Sequence, residues 1–222
     1  MRDEMIIKEV LRYINVPYLK ADDQIKIQIQ EVYKELEAIA QIRYTYQKFG
    51  LEKNNNEIRL SETSINMTSK DLTGIFKNCE KVYVLAATLG GEVDKKITSI
   101  QQVDMLKALL YNACANVMIE SACDEVEREI MECLEEGKYL TMRYSPGYGD
   151  VSLKIQGELL SVLNTTRKIG LTTTKTGMLL PIKSVTAFIG ISNVKEDRKK
   201  GCGDCLIQEV CAYRRRGERC GS

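Results

Sequence analysis

Arg143-Tyr144-Ser145-Pro146-Gly147-Tyr148-Gly149-Asp150 is a stiff turn carrying one cation, two tyrosines and two glycines. Pro146 fixes its own φ at about −65° and pushes Ser145 towards an extended conformation. Gly147 and Gly149 can take φ > 0 and let a ligand approach bare backbone. Taken alone, the octapeptide reads more readily as an ordinary strand-to-helix loop. Its neighbours carry the argument further.

Working outward, Leu140 to Tyr144 reads as a strand entering the turn, and residues 151–166 as the helix leaving it. Thr172-Thr173-Thr174 and the segment 184–191 are β-rich, separated by Gly177 and Pro181, and predict two further strands. Upstream, Val82-Tyr83-Val84-Leu85-Ala86-Ala87 is a continuous apolar run, the pattern of a central strand buried on both faces. It feeds into Gly90-Gly91 and a helix start, which is either an anion site or a glycine turn needed only for packing. Helical periodicity runs from 97 to 136, too long for a typical globular helix, so either one long spine or two helices broken near 101 or 124 is expected. Nearer the N-terminus, residues 4–15 predict a short helix, and a longer one capped by Asp22 or Asp23 is expected to reach Gly50. Asn54-Asn55-Asn56 predicts a turn, followed by strands around Ile58 to Leu60 and Ile65 to Met67, and Ser69 is positioned to cap a short helix. The fold class is therefore α+β, with helices packed on a mostly antiparallel twisted sheet.

The 222 residues carry 32 Lys+Arg against 31 Asp+Glu, so no global field recruits nucleic acid or an anionic membrane. The chain has no histidine. That excludes Ser-His and Cys-His dyads, His-ligated zinc and a His general base. The N-terminus lacks the pattern of a signal peptide and no run is long enough to span a membrane, so a cytoplasmic protein is expected. Eight cysteines then read as thiols or metal ligands rather than disulfides. Cys114, Cys123 and Cys133 lie at spacings that do not converge on one helix face, and read as core or surface thiols.

After a body of residues 1–194, the segment 195–222 opens on the charged linker Lys195-Glu196-Asp197-Arg198-Lys199-Lys200. It continues with Cys202-x2-Cys205-x5-Cys211-x8-Cys220. Four thiolates in a short segment point to a metal centre. Only Cys202 and Cys205 form a close pair, and the wider gaps fit a [4Fe-4S] cluster at least as well as zinc.

The turn, the helix at 151–164 and the run Leu180-Pro181-Ile182-Lys183-Ser184-Val185 together resemble the activation domain of cobalamin-dependent methionine synthase. There an Arg-x-x-Pro-Gly-Tyr turn, a helix and a Pro-x-x-Ser-Val strand build a site for S-adenosylmethionine. The likeness is greatest over residues 139–191 and extends to Thr88-Leu89-Gly90-Gly91-Glu92-Val93-Asp94. It implies that Arg143 holds the methionine carboxylate, which suits a planar bidentate guanidinium. It implies also that Ser145 and Gly147 meet the ligand through backbone groups and that Tyr148 closes the turn. Residues 1–60 offer no counterpart to the family's acidic residue for the ligand's amino group. Gly149-Asp150-Val151 and Asn193-Val194-Lys195 stand where the family has a histidine and a tyrosine pair.

The implied function is accessory, with no catalytic residue in this chain. Bound S-adenosylmethionine supports reductive methylation of a corrinoid carried by a partner methyltransferase such as the methionine synthase core, with the electron from a flavodoxin or ferredoxin or from the tail's metal centre. The competing reading is a metal-stapled module that binds protein or nucleic acid through Arg214, Arg215, Arg216 and Arg219. The neutral remainder of the chain argues against nucleic acid.

Overall fold

The protein is described by a computed structural model covering residues 2–195. The four-cysteine tail, Cys202, Cys205, Cys211 and Cys220, lies outside the described residues. In chain order the elements are α1 (Arg2–Tyr13), α2 (Asp23–Ile39), β1 (Arg43–Asn54), β2 (Glu57–Leu60), β3 (Asn66–Thr68), α3 (Lys70–Ile75) and β4 (Cys79–Thr88). Then follow α4 (Gly91–Gln101), α5 (Met105–Glu132), β5 (Tyr139–Leu140), α6 (Gln156–Leu163), α7 (Thr165–Ile169), β6 (Thr172–Thr173), β7 (Leu179–Leu180) and β8 (Ser184–Ser192). Six strands form one sheet in the order β3-β2-β1-β4-β8-β5, with β6 and β7 a separate ribbon. Every pairing is antiparallel, so the α+β expectation holds.

β4 is the spine of the sheet. Its side chains alternate between two cores, as the period of two requires. Tyr83, Leu85 and Ala87 enter a core built with α1, α2, α4 and α5. Val82, Val84 and Ala86 enter a second core with α3, α6 and α7. β8 repeats the pattern, sending Ala187 and Ile189 to the first core and Phe188 to the second. Helices therefore cover both faces of the sheet, and the apolar run at 82–87 is buried on both sides.

The caps behave as their residue types dictate. The Asp22 carboxylate accepts from Ile25 N at 2.7 Å, Asp104 accepts from Lys107 N at 2.9 Å, and the Ser69 hydroxyl accepts from Leu72 N at 3.0 Å. The periodic stretch from 97 is two helices, broken after Gln101. One boundary needs correction: α2 stops at Ile39, not Gly50. The segment Tyr44-Thr45-Tyr46 is β-branched and aromatic, and eight residues from Arg43 to Gly50 pair with β4, so sheet formation overrides the apparent helical stripe through Ile42. A second correction concerns the strand entering the turn, which is regular only at Tyr139 and Leu140. The Thr141 hydroxyl takes the N–H of Gly190 at 2.8 Å where a main-chain carbonyl would otherwise serve, and pairing resumes as a single bridge between Tyr144 and Phe188.

Candidate functional site

The turn is clamped at both ends. Tyr144 exchanges main-chain hydrogen bonds of 3.0 and 2.9 Å with Phe188, anchoring the entry to β8. Its buried hydroxyl donates to Asp71 Oδ2 at 2.6 Å, and burial together with that bond pushes the phenol above its ordinary pKa. At the exit, the Asp150 carboxylate accepts from Lys70 N at 2.7 Å and from the Ser69 hydroxyl. Desolvation opposes its ionisation, but those donors outweigh it and hold the carboxyl below its ordinary value of 3.8. Within the turn Gly147 N donates to Val151 O at 2.8 Å and Tyr148 N to Ser145 O at 3.3 Å. Gly147 and Gly149 sit at φ of 92° and 52°. A Cβ at Gly149 would collide with Asp71 Oδ2 and the Tyr144 hydroxyl, so the close fit requires glycine. Pro146 is buried, Ser145 is half-buried, and Gly147 and Tyr148 are exposed.

Arg143 leaves the turn in another direction, towards α5. Its Nη1 lies 2.7 Å from Asp124 Oδ1 and 2.6 Å from Glu127 Oε1, and its Nη2 lies 2.8 Å from Glu120 Oε2. Burial alone would lower the guanidinium's pKa. The hydrogen bond to Asp124 and the fields of Glu127 and Asp124 outweigh it and raise it instead. One cation thus faces three carboxylates.

The same side of α5 holds a second cation. Lys183 Nζ donates to the side-chain oxygens of Asn112 at 2.6 Å and Asn116 at 2.7 Å. The nearby Asp94 carboxylate is taken by the main-chain N–H groups of Ile182 (2.5 Å) and Lys183 (3.2 Å). Desolvation lowers the Lys183 pKa, with Asp94 opposing. Asn112, Asn116, Glu120 and Asp124 recur every fourth residue, so they form one row along the helix surface. Arg143 and Lys183 both reach that row from the outer edge of the sheet. There the N–H and C=O of Phe188 and the C=O of Gly190 point away from β4. By strand parity those of Thr186 do so too, beyond the last bridge. The result is a half-exposed seam between α5 and β8, with the turn at one end.

Ser145, Gly147 and Tyr148 therefore lie together on the turn, whereas Arg143 projects from it onto α5. The sequence reading did not single out Asp71, Glu120, Asp124, Glu127, Asn112, Asn116 or Lys183 as site residues. Their partners are distant along the chain, and the one available signal was the four-residue repeat of polar side chains on α5. Other features stand apart from the seam. A cleft of about 370 Å³ lined by Tyr33, Glu37, Tyr44, Met118 and Glu125 contains no residue of the turn. Cys79, Cys114 and Cys123 are buried and Cys133 is exposed, none of them in a disulfide, and burial pushes Cys114 and Cys123 up to about 12. No three His, Cys, Asp or Glu side chains among the described residues are arranged to hold a metal ion. No helix among them is long and apolar enough to cross a membrane.

Residues 13–218 match the family model described as the vitamin B12 dependent methionine synthase, activation domain. The chain belongs to that family. The matched range takes in the turn, the seam and three of the four tail cysteines, Cys202, Cys205 and Cys211. Among solved structures, the crystal structure of the MetH reactivation domain bound to AdoHcy is similar at 15% sequence identity and a TM-score of 0.56. The match covers 89% of this chain and 75% of that one, which is a likeness of fold. A comparison with curated proteins finds no match.

The packing of the turn sets a testable contrast. Gly149→Ala should destabilise the protein by about 2 to 4 kcal/mol, because left-handed strain adds to displacement of the Asp71–Tyr144 bond. Gly137→Ala, also at positive φ but with open space around it, should cost only about 1 kcal/mol. Urea denaturation of both variants checks this, and equal losses would contradict the clamped geometry.

Proposed function

We propose that this domain binds S-adenosylmethionine along the seam and presents its sulfonium methyl to the corrinoid of a partner methyltransferase for reductive methylation. The observation that carries the reading is the single guanidinium set among three carboxylates beside a turn with bare glycine backbone. An amino-acid head group is a zwitterion: Arg143 retains N–H donors for its carboxylate, and Glu120 or Asp124 supplies the acid for its ammonium. The acid for which residues 1–60 offered no counterpart thus has candidates on α5. The carboxylates gathered there also favour a sulfonium over its neutral thioether product. Ser145 and Gly147 offer main-chain groups, and Tyr148 is placed to cover the ligand.

The chain's task in this reading is positioning rather than proton transfer, which accords with a sequence lacking histidine. The partner's corrinoid would accept the methyl, S-adenosylhomocysteine would be left in the seam, and a donor of the flavodoxin or ferredoxin class would supply the balancing electron, while this chain's residues hold the sulfonium in position. Tyr148, Leu153, Met178, Leu180 and Ile182 are exposed apolar side chains, and Leu153 lies against both Gly147 and Gly177; we take them as a rim beside the turn. Such a rim fits a corrinoid-carrying protein docked there. The four tail cysteines enter the proposal on their sequence alone, as ligands of a [4Fe-4S] cluster or of zinc, in a cytoplasmic protein whose thiols stay reduced.

Isothermal titration of the full chain with S-adenosylmethionine tests the site. Saturable binding is expected, with Arg143→Lys weaker by about 1.5 to 3 kcal/mol, because lysine keeps the charge and loses the planar fork. Equal affinities, or no binding by the wild-type chain, would overturn the assignment. For the tail, anaerobic purification followed by elemental analysis should give iron and acid-labile sulfide. Zinc without sulfide would reduce the tail to a structural clip.

A further inference from the structure

Lys183, just before β8, joins that strand to α5 through its side chain. Its amine is half-buried and partly stripped of water, yet its two hydrogen-bond partners are neutral amides, Asn112 and Asn116, and no carboxylate is bonded to Nζ. An ammonium offers three donors, and only these two bonds engage it among the described residues. Asp94 lies nearby, but its oxygens accept from the main-chain N–H groups of Ile182 and Lys183 rather than from Nζ, so the partly desolvated ammonium has no direct hydrogen bond to a carboxylate among the described residues. The downward shift of its pKa expresses that desolvation. Perturbed groups of this kind gather at functional sites.

Its position along α5 says what it faces. From the Asn112/Asn116 pair to Asp124 in the middle of the Arg143 cluster is roughly ten residues, or about 15 Å of helix. That is comparable to the length of an extended nucleoside bearing an amino-acid chain. With the zwitterionic head at Arg143, the nucleoside end falls near Lys183, next to the outward main-chain groups of Thr186. A nucleoside presents neutral ring-nitrogen and hydroxyl acceptors, which suit a cation already oriented by two amides and with no carboxylate bonded to its Nζ among the described residues.

We propose that Lys183 is a specificity-determining contact for the nucleoside portion of the ligand: Asn112 and Asn116 aim its amine, and its remaining N–H donates to an acceptor on the adenosine moiety. This rests on the reading that S-adenosylmethionine occupies the seam. The test is titration calorimetry of the full chain with S-adenosylmethionine, S-adenosylhomocysteine, adenosine and methionine, using wild type, Lys183→Met and Asn116→Ala, with thermal melts to verify folding. Lys183→Met should weaken the three adenosine-bearing ligands by tenfold or more, the scale of one lost hydrogen bond to a charged group of about 1.5 to 3 kcal/mol, and leave methionine unchanged. Asn116→Ala, which keeps the amine but loosens its aim, should weaken the same three less. If the wild type binds S-adenosylmethionine and Lys183→Met binds all four ligands as tightly, this inference fails and the site assignment stands. If the wild type binds none of the four, both fail together.

Discussion

The pairing of β4 with a strand on each side, β1 along one edge and β8 along the other, is the constraint from which the rest of the molecule follows. Because β4 is apolar on both faces, each face must be covered. The α1, α2, α4 and α5 layer covers one, and the α3, α6 and α7 layer covers the other. That arrangement places the long helix α5 across the sheet and leaves the outer edge of β8 only partly paired, by β5 and by the single Tyr144 bridge. The seam between helix and edge is a consequence of the topology, and the polar row on α5 is what the sequence has put into it.

Charge is distributed unevenly along that seam. At one end Arg143 is outnumbered by Glu120, Asp124 and Glu127. At the other, Lys183 is held by amides alone. The turn that follows Arg143 is fixed to α3 and its cap through the Tyr144–Asp71 and Asp150–Ser69 contacts. Its glycines are therefore held in place by neighbours rather than left free to move, which is the condition for recognising a ligand by main-chain groups.

Local chemistry made much of this legible in the sequence. The strand at 82–87 is announced by a continuous apolar run, the caps by Asp22 and Ser69, and the turn by Pro146 and its two glycines. The end of α2 was misread because Ile42 continues the helical stripe by chance, while the residues that matter, Tyr44 and Tyr46, act through pairing with β4 and hydrogen bonds to Glu129 more than eighty positions away. The same limit hid most of the site. Arg143 can be seen as a cation on a turn, but its three carboxylates lie 16 to 23 residues upstream. Lys183 meets Asn112 and Asn116 across 71 and 67 positions. Such contacts are set by how the helix lies on the sheet, which no window of sequence contains.

If the seam between α5 and the β8 edge is the ligand site, a crystal structure of the full chain grown with S-adenosylhomocysteine will show the amino-acid head between Arg143 and the acids of α5, the main chain of Ser145 and Gly147 against the ligand, and the nucleoside towards Lys183. Ligand in the cleft of Tyr33, Glu37 and Met118, with the seam empty, would contradict it.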